Sequence, residues 1–319
     1  MKTKVRLLVC DRLDLSQLGL DENFEVDYRP DITREELLRS VGGYDGLVVR
    51  SRTRVDREVI EKASRLRLVA RPGTGLDNID VRAAESKGVA VVNSPESLVE
   101  AVAEHVILLM LALTRKLVLA DSSVKAGGWA KDALTGSELK GKILGIVGLG
   151  RIGRRVGEIA SRFGMSIVGY DVVPIAEETL RSLECKLAPL DTLLSAADYV
   201  TIHVPLTPET SHLIDSRRLS MMKKTAFLVN TSRGGVVEER SLVEALKEGE
   251  IAGAALDVFE TEPPGGAILS APGIVLTPHI GGQTLEAQAD ATKAVGEKIM
   301  QFFRKEKRTV REPLSAKRR

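Results

Sequence analysis

The chain has 319 residues and a formal net charge of +2 at pH 7. Its hydrophobic share of 43% and charged share of 28% indicate a globular protein, and its length suits two domains better than one. The small net charge and the aromatic share of 3% argue against nucleic-acid binding, because they provide neither a strong positive field nor many rings for stacking on bases.

Short apolar runs alternate with segments rich in helix-forming residues over the first 93 residues. The runs predicted as strands are Val5–Cys10, Phe24–Tyr28, Gly46–Arg50, Leu66–Ala70 and Val89–Asn93. The segments predicted as helices are Arg34–Val41, Arg57–Lys62 and Val81–Lys87. This alternation indicates a parallel sheet with helices on its faces.

The second half of the chain repeats this α/β pattern. The segment 97–125 is predicted to form one long apolar helix that ends at Gly127-Gly128-Trp129, and a strand at 143–147, a helix at 151–163 and a strand at 166–171 follow. Four weaker strands complete a second doubly wound sheet of six strands: Val200–Val204, Ala226–Asn230, Ala254–Asp257 and Ile274–Thr277. A last helix, from Glu286 to about Lys305, is predicted to pack back onto the first sheet, which makes the first domain discontinuous.

A glycine-rich turn, Gly148-Leu149-Gly150-Arg151-Ile152-Gly153, joins the first strand of the second sheet to its helix. Strand, glycine turn, helix and a second strand ending in an acid form the pattern of a dinucleotide site. Gly148 allows the tight turn, Gly150 lets the backbone approach a pyrophosphate, and Gly153 lets helix and strand pack closely. The N–H groups at the helix start would face the phosphates. An ordinary turn is the alternative, which the flanking strands and the acid make weaker.

The acid of this pattern is Asp171, which would accept hydrogen bonds from the adenosine ribose hydroxyls. Its carboxylate would repel a 2′-phosphate, and residues 172–175 contain no Arg or Lys. The sequence therefore predicts NAD rather than NADP as the cofactor.

Three charged residues, Arg233, Glu262 and His279, each follow a predicted strand at the edge where open α/β sheets bind ligands. An arginine holds a carboxylate through two hydrogen bonds, and a histidine beside a carboxylate exchanges protons near neutral pH. Beside an NAD site, these residue types predict hydride transfer between the cofactor and a 2-hydroxy or 2-oxo acid. Taken singly, each could be a loop, surface or turn-capping residue. His105 is predicted to lie in the core and His212 at the periphery.

The chain resembles the D-isomer-specific 2-hydroxyacid dehydrogenases over essentially its whole length. The stretches that carry the resemblance are Gly148–Gly153, His203–Thr207, Asn230–Gly235, Asp257–Phe259, Glu262-Pro263 and Pro278-His279. The resemblance implies that Arg233 orients the substrate carboxylate, that Glu262 tunes His279, and that His279 is the acid/base. It also implies a Rossmann NAD domain, residues 97–286, inserted into a flavodoxin-like substrate domain of residues 1–96 and 287–319, and a homodimer or tetramer. The predicted cofactor-binding residues are Gly148, Gly150, Arg151, Ile152, Gly153, Asp171, His203, Val204, Pro205, Thr231, Ser232, Asp257, His279 and Gly281.

The first domain offers a candidate phosphate site. Arg50-Ser51-Arg52-Thr53 follows one predicted strand and a second glycine turn, Gly73-Thr74-Gly75, follows the next. Charge and backbone N–H groups of this kind can hold a phosphate, although the arginines could simply be solvated. Both segments resemble those of D-3-phosphoglycerate dehydrogenases, which implies oxidation of 3-phospho-D-glycerate to 3-phosphohydroxypyruvate with NAD, the first step of serine biosynthesis. The predicted substrate-binding residues are Arg50, Ser51, Arg52, Gly73, Thr74, Gly75, Arg233 and His279.

Two other functions remain open on the same scaffold: glyoxylate or hydroxypyruvate reduction, and NAD-sensing corepression without catalysis. Cys10 and Cys185 show no metal-ligand spacing, so neither a metal site nor a disulfide is predicted, and a reducing cytoplasm is favoured. No uncharged stretch reaches the length of a membrane span. Regulatory C-terminal domains are not expected, since the chain ends soon after the nucleotide domain.

Overall fold

The computed structural model describes residues 4–309, and the backbone divides into two compact units. Unit 1 combines the residues up to Leu98 with those from Gly282 onward, and unit 2 is Val99–Gly281. The sequence places the corresponding boundaries at 96/97 and 286/287.

Unit 1 contains a parallel sheet of five strands in the order β2-β1-β3-β4-β5, the order of flavodoxin-like sheets. Its strands are β1 (Val5–Val9), β2 (Phe24–Tyr28), β3 (Gly46–Val48), β4 (Leu68–Arg71) and β5 (Ala90–Asn93). The helices between them are α1 (Arg34–Ser40), α2 (Arg57–Lys62) and α3 (Val81–Ser86). The predicted elements of this sheet are confirmed, with small shifts in their bounds.

Unit 2 contains a parallel sheet of seven strands in the order β12-β11-β10-β9-β6-β7-β8. Its strands are β6 (Ile143–Val147), β7 (Ser166–Tyr170), β8 (Lys186–Leu187), β9 (Tyr199–Ile202), β10 (Phe227–Asn230), β11 (Gly253–Leu256) and β12 (Ile274–Leu276). Its helices are α4 (Val99–Thr114), α5 (Leu117–Lys125), α6 (Arg151–Arg162), α7 (Glu177–Ser182), α8 (Leu190–Ala196), α9 (Ser216–Met221) and α10 (Glu239–Glu248). The prediction of six strands missed β8, because two residues at a sheet edge give no periodic signal.

The prediction of one long helix over 97–125 was wrong, because the segment breaks into α4 and α5 at Lys116. Lys116 adopts a left-handed conformation with φ of 51°, which ends one helix and redirects the next. The carbonyl of Thr114 accepts a hydrogen bond from Ser137 N at 3.2 Å instead of continuing the helical ladder. A Cβ on Gly136 would lie 2.2 Å from that same carbonyl oxygen, so only glycine fits there. α4 is mostly buried, whereas α5 buries none of its residues.

The last helix, α11 (Leu285–Thr309), belongs to unit 1 and covers one face of its sheet. Val295, Ile299 and Phe303 of α11 join the cluster that contains Leu7 and Val9 of β1, with exposures of 2% or less for the three helix residues. Leu8, between them on the strand, points into the opposite cluster under α1 to α3. The prediction that the last helix packs back onto the first sheet is therefore confirmed. None of the helices in residues 4–309 is long and apolar enough to cross a membrane.

Candidate active site

The glycine turn lies where the strand order of unit 2 reverses, since β6 pairs with β7 on one side and with β9 on the other. Gly148 has φ of 98°, and a Cβ there would come within 2.7 Å of the His203 carbonyl oxygen. A Cβ on Gly153 would lie 2.1 Å from the Gly148 carbonyl oxygen. Gly150 begins α6, and a Cβ there would meet no atom within 4 Å. Two glycines are thus required by packing, and the third faces open space.

Asp171 follows β7 and fastens the glycine turn. Its Oδ2 accepts a hydrogen bond from Leu149 N at 2.7 Å, and its Oδ1 accepts one from Val173 N at 2.9 Å. Because a carboxylate has about four lone-pair sites, these two bonds leave further acceptor capacity for ribose hydroxyls. The side chain is half-buried, and Val172 beside it is 84% exposed.

The segment His203-Val204-Pro205 leaves β9 directly beside the glycine turn. His203 N donates to the Val147 carbonyl at 2.7 Å, and its Nε2 lies 3.0 Å from Thr201 Oγ1. Burial lowers the pKa of His203 to about 3, so its imidazole is neutral at physiological pH. A neutral ring beside the glycine turn provides hydrogen bonding and packing rather than charge.

The sheet brings Arg233, Glu262 and His279 to one edge. They follow β10, β11 and β12, which are neighbours in the parallel sheet, so all three loops leave from the same end. The Arg233 loop is held by the buried Asn230, whose Nδ2 donates to the Arg233 carbonyl at 2.8 Å and whose Oδ1 accepts from Ser232 N at 3.0 Å. Thr231 Oγ1 in this loop is buried without a hydrogen-bond partner in the structure.

His279 and Glu262 form a direct pair, although the sequence separates them by a strand. His279 Nδ1 lies 2.9 Å from Glu262 Oε2 and 3.1 Å from Oε1. An ionised carboxylate only accepts hydrogen bonds, so we assign the proton of this contact to Nδ1, which leaves Nε2 available for proton transfer. His279 has φ of 55°, and its side chain is half exposed. The pair therefore has the geometry of a general acid/base held by a second group.

Two of the candidate phosphate residues of unit 1, Arg52 and Arg50, differ in how many hydrogen bonds they make to the protein. Arg52 donates from Nε to Asp11 at 3.0 Å, from Nη1 to the Ile32 carbonyl at 3.1 Å, and from Nη2 to the carbonyls of Pro30 and Cys10. Four of its five N–H groups therefore already have protein acceptors. Arg52 thereby joins the segments around Asp11 and Pro30 to its own loop, and its predicted contact with a phosphate stays a prediction.

Arg50 has fewer protein acceptors than Arg52. Its Nη1 donates to the Arg12 carbonyl and its Nη2 to Gln283 Oε1, each at 3.2 Å. Burial lowers the pKa of Arg50 from its ordinary value, with Asp11 acting in the opposite direction. A partly desolvated guanidinium with remaining donors interacts strongly with an anion. Ser51, between the two arginines, is exposed.

The second glycine turn follows β4. Gly73 has φ of 135° and its N–H donates to Ser94 Oγ at 2.9 Å, while the Thr74 carbonyl accepts from Asn93 Nδ2 at 2.7 Å. The Gly75 carbonyl accepts a hydrogen bond from the Arg71 side chain. The Thr74 hydroxyl is buried without a hydrogen-bond partner in the structure. The turn is therefore held by side chains of β4, β5 and the residue that follows β5.

The described residues of unit 2 fit NAD by their own geometry. The turn has open space at Gly150, a helix start whose first N–H groups face outward, and a carboxylate at the end of the next strand. No group of three or more His, Cys, Asp and Glu side chains within residues 4–309 could hold a metal ion.

Comparisons with known proteins show which family this chain resembles. The family described as D-isomer specific 2-hydroxyacid dehydrogenase, NAD binding domain, matches residues 107–281. A D-3-phosphoglycerate dehydrogenase of Methanocaldococcus jannaschii is 46% identical over 95% of the chain, which spans 58% of that relative's length. A hydroxypyruvate reductase of Thermotoga maritima is 43% identical over 84% of the chain and 88% of its own length. The crystal structure of the TT0316 protein from Thermus thermophilus superposes with a TM-score of 0.87 at 35% identity, covering 94% of this chain and 97% of that one.

The chain belongs to the D-isomer specific 2-hydroxyacid dehydrogenase family. Its unit 2 is the NAD-binding domain of this family, and NAD is its cofactor. The predicted fold, two parallel-sheet α/β domains with one of the Rossmann type, is confirmed.

Sequence reasoning missed a hydrogen-bonded group behind His279. Asp257 and Gly281 were predicted only as cofactor-binding and His105 only as a core or interface residue. The structure joins them, because Asp257 Oδ2 accepts from Gly281 N at 2.7 Å and His105 lies 3.5 Å from Asp257 Oδ1. The sequence signal was weak: one histidine among the buried residues of α4.

We expect Asp171→Ala to narrow the preference for NAD over NADP by about tenfold or more, because the substitution removes a negative charge that repels a 2′-phosphate. The ratio of dissociation constants for NADH and NADPH, measured by fluorescence titration, checks this. Glu177→Ala is the control, since Glu177 is an exposed acid of the same unit. An unchanged ratio in Asp171→Ala would show that another residue sets the preference.

Proposed function

We propose that the protein catalyses NAD-dependent oxidation of a D-2-hydroxy acid, with 3-phospho-D-glycerate as the substrate and 3-phosphohydroxypyruvate as the product. The observation that carries this proposal is the His279–Glu262 pair at the ligand-binding edge of an NAD domain. The similarity to the D-3-phosphoglycerate dehydrogenase of Methanocaldococcus jannaschii supports the choice of substrate. On this proposal the protein works in the cytoplasm, at the first step of serine biosynthesis.

The proposed mechanism gives each of three side chains in unit 2 a separate role. Arg233, with its backbone fixed by Asn230, anchors the carboxylate through charge-assisted hydrogen bonds. His279 takes the hydroxyl proton at Nε2 during oxidation and returns it during reduction. Glu262 holds Nδ1 and stabilises the imidazolium that forms. Bound NAD supplies the hydride acceptor. Arg50 is our candidate for the phosphate group, because Arg52 is already committed to protein acceptors.

Reduction of hydroxypyruvate is the second candidate function. The hydroxypyruvate reductase of Thermotoga maritima has an identity close to that of the phosphoglycerate dehydrogenase, and the chain covers 88% of it. The hydrogen bonds of Arg52 to protein acceptors also favour this alternative, since they leave Arg52 fewer donors for a dianionic group. Both candidates use Arg233, Glu262 and His279 in the same roles.

We also propose a homodimer, formed through unit 2. α5 exposes Leu117, Val118 and Leu119 by more than half, and Trp129 beyond it is 85% exposed. Next to α5 lies a cavity of about 810 Å³ whose walls include Leu113, Phe227 and Ile274. Exposed apolar residues in the first turn of a helix, beside a cavity with many apolar walls, support an interface, because monomers rarely leave such surfaces in water. A second copy of the chain is the occupant we propose.

We expect His279→Asn to lower kcat by about 10²- to 10⁴-fold, because the variant has no group that exchanges a proton near neutral pH. NADH binding should change by less than about twofold, since most of the predicted contacts to the dinucleotide come from other residues. Steady-state kinetics and NADH fluorescence titration check the two expectations. His212→Asn is the matched control, because His212 is a half-exposed histidine that pairs with a different glutamate, Glu260. Near-normal turnover of His279→Asn would remove His279 from the mechanism.

We expect the native protein to reduce phosphohydroxypyruvate with higher kcat/KM than hydroxypyruvate. Arg50→Gln should reduce kcat/KM for phosphohydroxypyruvate by about tenfold to a hundredfold, the range for loss of a charged hydrogen bond, and affect hydroxypyruvate far less. Arg54→Gln, an exposed neighbour, is the control. Equal efficiencies for the two substrates in the native protein would rule out the phosphate site and favour hydroxypyruvate reduction; turnover of neither would favour a binding protein without catalysis.

We expect Leu119→Asp to convert the protein to a monomer, because the substitution places a charge in the proposed apolar interface. Sedimentation equilibrium measures the mass. Leu187→Asp is the matched control, since Leu187 is a half-exposed apolar residue on the β8 edge of the same unit. A native protein that is already monomeric would contradict the dimer.

A further inference from the structure

His279 sits in a turn that one buried carboxylate holds in place. Asp257, 1% exposed and directly after β11, accepts at Oδ1 from Thr277 Oγ1 at 2.6 Å and from Ile280 N at 2.8 Å. Its Oδ2 accepts from Gly281 N at 2.7 Å. These bonds bracket His279, which keeps a left-handed backbone with φ of 55° between them. A left-handed φ is unfavourable for a residue with a side chain, so the surrounding hydrogen bonds must stabilise this conformation of His279.

His105 lies behind this carboxylate, on α4 of the same unit. It is 9% exposed, and its Nε2 is 3.1 Å from Thr277 Oγ1 and 3.5 Å from Asp257 Oδ1. Its ring faces the turn, because a Cβ built on Gly281 would lie 3.7 Å from His105 Cδ2. A histidine on the mostly buried helix α4 is thereby placed next to the turn that carries His279.

The direction of these hydrogen bonds follows from the chemistry of the groups. The Thr277 hydroxyl has one proton, and it donates this proton to Asp257, which only accepts when ionised. Thr277 Oγ1 must then accept from His105, so the proton of His105 is on Nε2. The result is a directed chain from His105 through Thr277 to Asp257.

The same chain explains why a buried carboxylate can stay ionised. Burial opposes the charge of Asp257, but the His105 ring 3.5 Å away and hydrogen bonds from Thr277, Ile280 and Gly281 outweigh it and keep its pKa below the ordinary value. Loss of the His105 N–H would leave the partly buried Thr277 oxygen without its donor, which costs more free energy than the hydrogen bond itself contributes.

We propose that His105 is a positioning residue that acts through Thr277 and Asp257 to hold the turn carrying His279. This inference rests on the proposed dehydrogenase function and adds a residue to it that contacts neither substrate nor cofactor. His105 sets where the His279 ring points and so controls the rate of proton transfer rather than the binding of ligands.

The test compares His105→Leu, which removes the donor, with His105→Gln, whose Nε2 can donate from nearly the same place. We expect His105→Leu to lower kcat for reduction of phosphohydroxypyruvate or hydroxypyruvate by about tenfold to a hundredfold, the effect of a small misplacement of a catalytic group. KM and the NADH dissociation constant from fluorescence titration should stay within about twofold, and His105→Gln should recover most of the rate. Glu104→Gln, the exposed neighbour on α4, is the control.

A double-mutant cycle with His279→Asn separates positioning from general structure. If His105 acts only through His279, His105→Leu will not reduce the residual rate of His279→Asn any further. Equal losses in both backgrounds, or a native kcat in His105→Leu, would overturn the proposal. Should His105→Leu fold poorly, judged by its thermal midpoint, Thr277→Val gives the same comparison because it interrupts the chain one step later. A normal rate in His279→Asn would contradict the proposed function, whereas a large loss in His279→Asn together with a native kcat in His105→Leu would contradict the positioning alone.

Discussion

Parallel pairing around β6 is the constraint on which the nucleotide unit depends. Because β7 and β9 flank β6 and all strands run the same way, the turns after β6 and β9 open at one edge and lie against each other. The contact is tight, since the His203 carbonyl occupies the space that a side chain on Gly148 would need. Asp171 then ties the turn to the next strand through Leu149 N. Strand order therefore sets the position of the cofactor site.

At the other end of the same sheet, neighbouring parallel strands likewise bring together the side chains of the proposed reaction. β10, β11 and β12 are neighbours, and the loop after each contributes one of Arg233, Glu262 and His279. Strand order alone does not orient them, however. Two buried polar side chains do so: Asn230 closes the loop of Arg233, and Asp257 closes the turn of His279. Each lies inside the protein with its polar atoms hydrogen-bonded, which is the condition under which burial of such a group stabilises one conformation.

In unit 1, one acidic residue gives two similar arginines different hydrogen-bond partners. Asp11 is almost fully buried and binds Arg52 directly, while it accepts from the backbone N–H of Arg50. Arg52 therefore uses most of its donors on protein acceptors although half of its side chain is exposed, and the Arg50 guanidinium keeps donors that the protein does not use. The two look equivalent in Arg50-Ser51-Arg52, since spacing on a short segment after a strand carries no information about which carbonyls lie within reach.

The sequence by itself determined the two α/β sheets, the NAD turn with Asp171 and the candidates Arg233, Glu262 and His279, because these depend on local periodicity, glycine positions and residues placed at strand ends. It could not show the break at Lys116, the two-residue strand β8, or the hydrogen bonds of Arg52 and His105. Each of these depends on a contact between residues far apart in the chain, such as Thr114 with Ser137 or His105 with Thr277. Only the tertiary structure decided them, because hydrogen-bond partners are chosen by distance in space.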